Sequence, residues 1–173
     1  ESIPEIILCS RLSEWRFNET FMLKLMPLVH TRIKTFSDFM QLCDFFFISE
    51  MKYTQELLCP KNTSPEITSY ILQSIIWNLD EQEDWSGKGL ETASHKVAET
   101  FGVHHKKIVM HILFAAVMGK HMGPPLFDSA SLLGKELLRA RFLSAIETLG
   151  GISNKRMDLL KKGWEKKNCQ ELV

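Results

Sequence analysis

Four histidines lie close together in the sequence and are the first residues whose type suits chemistry: His104, His105, His111 and His121. Imidazole nitrogens bind zinc when three or four ligands converge on one point. The spacings of 1, 6 and 10 residues do not place three imidazoles on one face of a helix, and no cysteine or pair of carboxylates completes a site. We therefore interpret them as surface or packed histidines and expect no metal site.

Catalytic chemistry has no stronger candidate elsewhere in the chain. Cys43 and Asp44 are adjacent, but the thiol has no obvious histidine partner to activate it. The sequence also contains none of the GxGxxG, P-loop, HExxH or GxSxG patterns that mark nucleotide, zinc and hydrolase sites. We predict no catalytic residue and a binding or interaction module in place of a self-sufficient enzyme.

One loop combines cations, prolines and apolar side chains in a way that suits RNA binding. Its residues are Gly119, Lys120, His121, Met122, Gly123, Pro124, Pro125, Leu126 and Phe127. The adjacent prolines fix the backbone, so the apolar pair can stack against bases while the cations meet phosphates. The same residues also suit a stiff connection between helices in which the apolar pair fills the core. Composition alone favours that second interpretation.

Helical periodicity must position these residues, and we predict an all-α fold because no stretch shows sustained period-two alternation. Apolar residues recur at helical spacing in four stripes: Phe21, Leu25, Leu28 and Val29; Ile71, Leu72, Ile75, Ile76 and Leu79; Leu90, Ala93, Val97 and Phe101; Leu138, Phe142, Ala145 and Leu149. Gly102 and Gly150 predict the ends of the last two helices. The exposed side of the fourth helix is predicted to carry three cations: Lys135, Arg139 and Arg141.

Other local signals fix helix starts and boundaries. Asn18 is a candidate cap for the first helix, and Thr63 with Glu66 has capping-box spacing around Pro65 before the second. The aromatic run Phe45–Phe47 predicts the end of a buried helix. The run Cys59–Pro65 is the best candidate for a boundary between two subdomains. The residues after 151 alternate basic and apolar types and predict a short basic helix or a frayed extension.

Composition sets outer limits on the possible classes. With 173 residues and 45% apolar content, the chain can form one compact core or two small packed bundles. Residues 1–100 carry 9 basic against 15 acidic side chains, a net charge of −6, while residues 101–173 carry 12 against 6, a net +6. This asymmetry indicates either an anionic partner for the C-terminal half or an ordinary solvated surface.

Several features indicate the compartment. No apolar run reaches the roughly 18–20 residues needed to span a bilayer, and the first residues show no secretion signal, so we expect no membrane partner. Four widely spaced cysteines indicate reduced thiols and a cytoplasmic location. The missing initiator methionine predicts a mature chain or a fragment cut from a longer one.

The order of several motifs resembles the C-terminal anticodon-binding region of bacterial glutamyl-tRNA synthetases, a class I aminoacyl-tRNA synthetase family. The motifs that carry the resemblance are Leu25–Phe36, Phe45–Phe47 with Tyr53, Asp84-Trp85, Ala115-Ala116 before Gly119, Gly123–Phe127, Leu132–Glu136, and Arg139 with Arg141. The resemblance covers roughly residues 18–149. It implies that family's helical cage, with subdomains at residues 1–60 and 61–150. The basic extension at residues 151–173 runs past the usual end of the family.

The resemblance also implies roles for individual residues. Arg32 falls where the family places an arginine against the third anticodon base, although a surface salt bridge is the alternative for this side chain. The segment Gly123–Phe127, with Pro124, Pro125 and Leu126, falls where the family loop packs around the first two bases. Phe114 replaces an arginine common in relatives, for which Lys120 or His121 can compensate. Weaker contacts to the tRNA backbone are expected from Lys135, Arg139 and Arg141.

The same resemblance defines the expected partners and cofactors. Relatives hold glutamate and ATP in an N-terminal Rossmann domain with HIGH-type and KMSKS-type motifs, which the 173 residues lack. We therefore expect a monomeric anticodon-binding fragment with tRNA(Glu) and its own N-terminal catalytic domain as partners. No cofactor is expected here, and ATP and magnesium belong to the missing catalytic domain. The alternatives are a class I lysyl-tRNA synthetase domain, an all-α protein-interaction module, and an all-α enzyme that uses the histidines.

Overall fold

The structure is a computed structural model that describes residues 19–48, 50–61 and 63–172, and the Asn18 cap lies outside these ranges. All regular elements within them are helical, which confirms the all-α prediction. The α-helices are α1 (Glu19–Val29), α2 (Phe36–Cys43), α3 (Gln55–Leu58), α4 (Pro65–Glu81), α5 (Gly87–Phe101), α6 (Met110–Met118), α7 (Leu126–Leu133), α8 (Lys135–Thr148) and α9 (Asn154–Glu165). Shorter helices are the 3-10 turns His30–Arg32, Asp44–Phe46 and Gln170–Leu172 and the π-helical turn His105–Val109.

Helix α4 lies at the centre of the fold and is buried on nearly all sides. It packs on α5 and α8, and α5 packs in turn on α7. Its N-cap is Ser64, whose Oγ accepts a hydrogen bond from the Ile67 N–H at 3.2 Å. The predicted Thr63 cap is therefore wrong by one residue. The reason is that Pro65 occupies the first helical position, which makes the residue directly before it the cap.

The predicted apolar stripes form the core. The stripe of α5 is buried throughout, and the helix ends at Gly102 in the left-handed conformation with φ 65°. Its N–H bonds back to the carbonyls of Ala98 and Glu99, as a glycine C-cap does. Phe45 and Phe46 are buried in the 3-10 turn that continues α2, so the aromatic run follows a helix as predicted. That helix is not a buried one, because only Phe39 and Cys43 of its residues are buried.

Helices α6, α7 and α8 carry most of the candidate site. Helix α6 is almost wholly apolar and ends at Gly119, which is left-handed with φ 68°. The loop that follows leads into α7, and α7 connects directly to α8 through Gly134. Helix α1 packs against α7, and α3 packs against α6. The helix before the loop and the helix after it therefore each contact a helix from the first 60 residues.

The segment after residue 151 forms the helix α9, which confirms the interpretation as a short basic helix. Arg156 Nε lies 2.9 Å from Glu66 Oε1 at the start of α4, and the rings of Trp164 and Trp77 have centroids 6.3 Å apart. Beyond the helix, the Cys169 N–H donates to the Thr100 carbonyl at 2.9 Å. These contacts hold the extension against α4 and α5.

Two further features belong to the fold. The proposed division into subdomains at residues 59–65 stays a prediction. Among the helices of the described ranges, none is both long and apolar enough to cross a membrane.

Candidate nucleic-acid interface

Arg32 meets the loop that follows α6, although 91 residues separate them in the sequence. Arg32 ends the 3-10 turn after α1, and its Nη1 donates a hydrogen bond to the Gly123 carbonyl at 2.8 Å. The side chain is exposed. A guanidinium carries five N–H donors in a planar fork, so this bond orients the group and leaves capacity for a ligand. Two candidates from distant parts of the chain therefore share one surface.

Lys120 joins the same loop to α2 and the turn after it. Its Nζ lies 2.6 Å from the Gln41 carbonyl and 2.6 Å from Asp44 Oδ1. Both members of this ion pair are about one-third exposed, so the pair stabilises the fold by about 1 kcal/mol or less. The structure thus gives Lys120 a clamping role. Its predicted contact with the anticodon stays a prediction.

The tip of the loop has a backbone that depends on glycine and proline. A Cβ on Gly123 would lie 2.5 Å from Met118 Sδ, so a side chain at this position would require the Met118 side chain to move. Pro124 is buried, and Pro125 occupies the cap position before α7. Met122, the residue before Gly123, is 79% exposed. The apolar group presented to solvent is therefore Met122.

Leu126 and Phe127 face inward, which contradicts the prediction that they stack on bases. Leu126 is only 5% exposed, and Phe127 is partly buried. Both line a small apolar cavity of about 20 Å³ with side chains of α4, α5, α6 and α8. The reason is that both lie in the first turn of α7, whose apolar face packs on α5. The alternative interpretation, in which they fill the core, describes these two residues correctly.

Arg141 is also buried, at 3% exposure, and its predicted place on the exposed side of α8 is wrong. Its Nη1 donates to the Val117 carbonyl, and its Nη2 donates to the carbonyls of Phe45 and Ile48, the latter at 3.1 Å. The position lies three residues after Leu138 and four before Ala145, on the apolar face of the helix. Arg141 consequently ties the end of α6 to the aromatic turn after α2.

The other two cations of α8 remain at the surface. Lys135 Nζ lies 3.7 Å from Asp80 Oδ1, and the Arg139 guanidinium bonds to the other oxygen of the same carboxylate. One acidic side chain, Asp80, thus faces two basic ones, and the three side chains together carry a net charge of +1. Their predicted contacts with the tRNA backbone stay a prediction.

Four of the histidines form two ring pairs, one stacked and one tilted. His95 stacks on His105 with ring centroids 3.6 Å apart, and His111 lies 4.4 Å from His121. The Ser94 hydroxyl also bonds His105 Nε2 at 2.8 Å. Across the described part of the chain, no group of three or more His, Cys, Asp or Glu side chains is placed to hold a metal ion.

The pair at the loop has a consequence for pH. Burial lowers the pKa of His111 from its ordinary 6.5, the neighbouring His121 lowers it further, and a backbone contact with Leu57 acts in the opposite direction. Because the folded pKa lies below the unfolded one, the unfolded chain binds more protons as the pH falls through 6.5. We therefore expect the melting temperature to fall between about pH 7.5 and about pH 5.5, and His111→Phe to reduce this acid loss.

The matched control is His30→Gln, since His30 is exposed in the 3-10 turn after α1 and belongs to neither histidine pair. It should show the same acid loss as the unmodified chain. An identical loss in His111→Phe would mean that the pair beside the loop does not contribute, and that the His95–His105 pair causes the change.

Comparison with known proteins decides the family. A family model for an anticodon-binding domain matches residues 7–146, which is most of the chain. The chain belongs to the anticodon-binding domain family. The glutamate–tRNA ligase of Protochlamydia amoebophila strain UWE25 is 54% identical over 173 residues, which cover 100% of this chain and 34% of that protein. The glutamate–tRNA ligase of Chlamydia muridarum is 36% identical over 172 residues, 99% of this chain and 34% of that protein.

A solved structure agrees. The glutamate tRNA ligase from Elizabethkingia meningosepticum CCUG26117, solved in complex with its amino acid, superposes with a TM-score of 0.66 at 27% identity. The match covers 76% of this chain and 26% of that one. The chain therefore spans about a third of the length of the curated relatives it matches.

In this anticodon-binding domain, sequence reasoning assigned no separate role to two exposed apolar side chains and missed one buried link. Phe36 and Met122 are both 79% exposed, close in sequence to Arg32 and Gly123 respectively. Tyr53 donates from its hydroxyl to the Ala116 carbonyl at 2.6 Å, and burial raises its pKa. A signal existed for Phe36, because the aromatic side chain directly follows a polar, basic stretch at a helix start.

Proposed function

We propose that this anticodon-binding domain grips the anticodon loop of tRNA(Glu) as part of a glutamate–tRNA ligase. The observation that carries the proposal is the bond from Arg32 to the Gly123 carbonyl, which unites an exposed guanidinium with a glycine- and proline-fixed loop. The relatives named as glutamate–tRNA ligases over the whole chain support the choice of amino acid.

The chemistry of the third anticodon base explains why an arginine suits this position. The anticodons of tRNA(Glu) and tRNA(Gln) differ there, with C in the first and G in the second. The pairing edge of C offers two acceptors to a guanidinium fork, whereas the pairing edge of G presents N–H donors that repel it. Because the Gly123 carbonyl holds the guanidinium in place, less conformational freedom is lost when the base binds.

The remainder of the reaction belongs to the longer protein. We assign ATP, magnesium and glutamate to its N-terminal catalytic domain, and assign to this chain only the binding of RNA. In this proposal the domain is monomeric, and it is located in the cytoplasm with the translation machinery. Its selectivity is transmitted by the bound tRNA, whose other end reaches the catalytic domain.

Binding to three transcripts tests the proposal. We expect the chain to bind tRNA(Glu) more tightly than tRNA(Gln) or tRNA(Lys), with an affinity that falls steeply between low and high salt because phosphate contacts release counterions. Preference for tRNA(Lys) would assign the domain to the lysyl family. Binding of protein partners that is insensitive to salt, with no tRNA binding, would favour an interaction module.

Arg32→Gln is expected to remove discrimination at the third base. Glutamine offers a donor and an acceptor at its amide, so it accommodates both C and G. The two anticodon hairpins to compare differ only at that base. We expect the difference between their binding free energies to shrink by about 1–3 kcal/mol. Fluorescence anisotropy with the two hairpins measures it. Equal weakening for both hairpins would show that Arg32 contacts only the RNA backbone.

A further inference from the structure

Phe36 is a large aromatic side chain that the fold leaves in solvent. It opens α2, is 79% exposed, and its ring stacks on that of Phe39 with centroids 6.0 Å apart. Burial of an aromatic ring is favourable, so a ring that is held in place yet exposed is suited to covering by a ligand. The stacked partner Phe39 is buried, which fixes the position of the outer ring.

An open groove of about 500 Å³ lies beside this ring. Its lining includes Met22, Met26, Ile33, Lys34, Phe36 and Phe39. Among the described residues that line it, the one ionisable side chain is that of Lys34. The nearest acidic group along the chain, Asp38, accepts hydrogen bonds from the backbone N–H groups of Lys34 and Thr35 at 2.9 and 2.8 Å. These bonds lower the pKa of Asp38 and fix the turn that carries Lys34.

The groove lies close to Arg32 along the chain, which indicates the kind of ligand that it binds. Ile33, which lines the groove, directly follows Arg32, and the four residues from Arg32 to Phe36 span at most about 14 Å. Consecutive nucleotides of an RNA loop can therefore meet both side chains. The loop Gly119–Pro125 meets Arg32 through the bond to Gly123, and the lining of the groove includes the next residue along the chain, Ile33.

We propose that the groove binds the nucleotide that follows the anticodon triplet, with its base stacked on Phe36 and its phosphate on Lys34. This inference rests on the proposed function. In the proposed function Arg32 contacts the third anticodon base and the loop contacts the first two. The third base has one other neighbour, the nucleotide that follows the triplet, and this nucleotide is left for the groove. Stacking on an aromatic face combined with a cation on the phosphate is how proteins hold single-stranded RNA.

A coupling experiment tests the assignment. Anticodon hairpins of tRNA(Glu) are prepared with a normal or an abasic nucleotide after the triplet and titrated against the 173-residue chain and its Phe36→Leu variant. Leucine keeps the apolar bulk and removes the aromatic face. Each change alone should weaken binding about 10-fold, and both together hardly more, because they remove the same stack. Phe36→Trp should retain the affinity.

Two further variants complete the design. Lys34→Gln should reduce the slope of log affinity against log salt by about 0.7, the effect of one single-strand phosphate contact. Leu143→Ala is the matched control, because Leu143 is an exposed apolar residue on α8, outside the groove. It should bind both hairpins like the unmodified chain.

The outcomes separate this inference from the proposed function. If the unmodified chain shows no salt-sensitive binding of the normal hairpin, both are overturned. If it binds, and Phe36→Leu and the abasic nucleotide act additively or not at all, only the stacking site is overturned. A lower melting temperature or a changed oligomeric state in Phe36→Leu, with unchanged hairpin affinity, would assign the groove to a contact within or between chains.

Discussion

Arg141→Ala is expected to lower the free energy of unfolding by about 3–5 kcal/mol, the largest effect among single changes at this site. The guanidinium is buried and donates to three backbone carbonyls from two separate segments, at Val117, Phe45 and Ile48. Removal leaves these carbonyls without that donor and creates a cavity where a long side chain was packed. Chemical denaturation measures the change.

The same helix offers a matched control for this variant. Arg139→Ala removes an identical side chain two residues earlier that is exposed and pairs with Asp80. It should lower the stability by less than about 1 kcal/mol. A loss of similar size in both variants would mean that the charge of α8, and not the buried network, matters.

Arg141→Lys separates stability from positioning. The ammonium is a point charge that cannot reach three carbonyls in two directions as the planar fork does. We expect this variant to fold with intermediate stability and to bind the anticodon hairpin more weakly, because the end of α6 and the turn after α2 are no longer fixed to each other. Hairpin affinity equal to that of the unmodified chain would show that Arg141 stabilises the fold without positioning the site.

Much of the fold follows from local sequence signals. The stripe of α5 and its glycine cap are read directly from periodicity and from the left-handed conformation that Gly102 adopts without strain. The predicted cap of α4, Thr63, lies one residue before the actual cap, Ser64, because the position of Pro65 determines which residue is the cap. Such local rules act within one turn of a helix, where sequence neighbours are also spatial neighbours.

The site is less predictable because its contacts join distant segments. The bond between Arg32 and Gly123 spans 91 residues, and no periodicity relates the two positions. Only the resemblance to a known family predicts that both residues contact the anticodon. The burial of Arg141 was open to prediction, because its spacing from Leu138 and Ala145 puts it on the apolar face. Its charge argued for the surface, and three backbone acceptors outweigh that preference.

Leu126→Ala should act on stability, in contrast to the role of a base-stacking residue. Leu126 is 5% exposed and borders an existing cavity at the start of α7. Truncation enlarges this cavity, and Leu→Ala changes in cores lower the free energy of unfolding by about 2–5 kcal/mol. For a chain of this length, that corresponds to a fall in melting temperature of roughly 4–20 °C. Differential scanning calorimetry measures it.

Met122→Ala is the control in the same loop, because Met122 is 79% exposed and only four residues away. Its effect on stability should stay within about 0.5 kcal/mol. If the apolar tip contacts RNA, Met122→Ala instead weakens hairpin binding at unchanged melting temperature. The two variants should therefore have opposite profiles. An unchanged melting temperature with lost binding in Leu126→Ala would return Leu126 to the RNA-binding surface and require the loop to open when RNA binds.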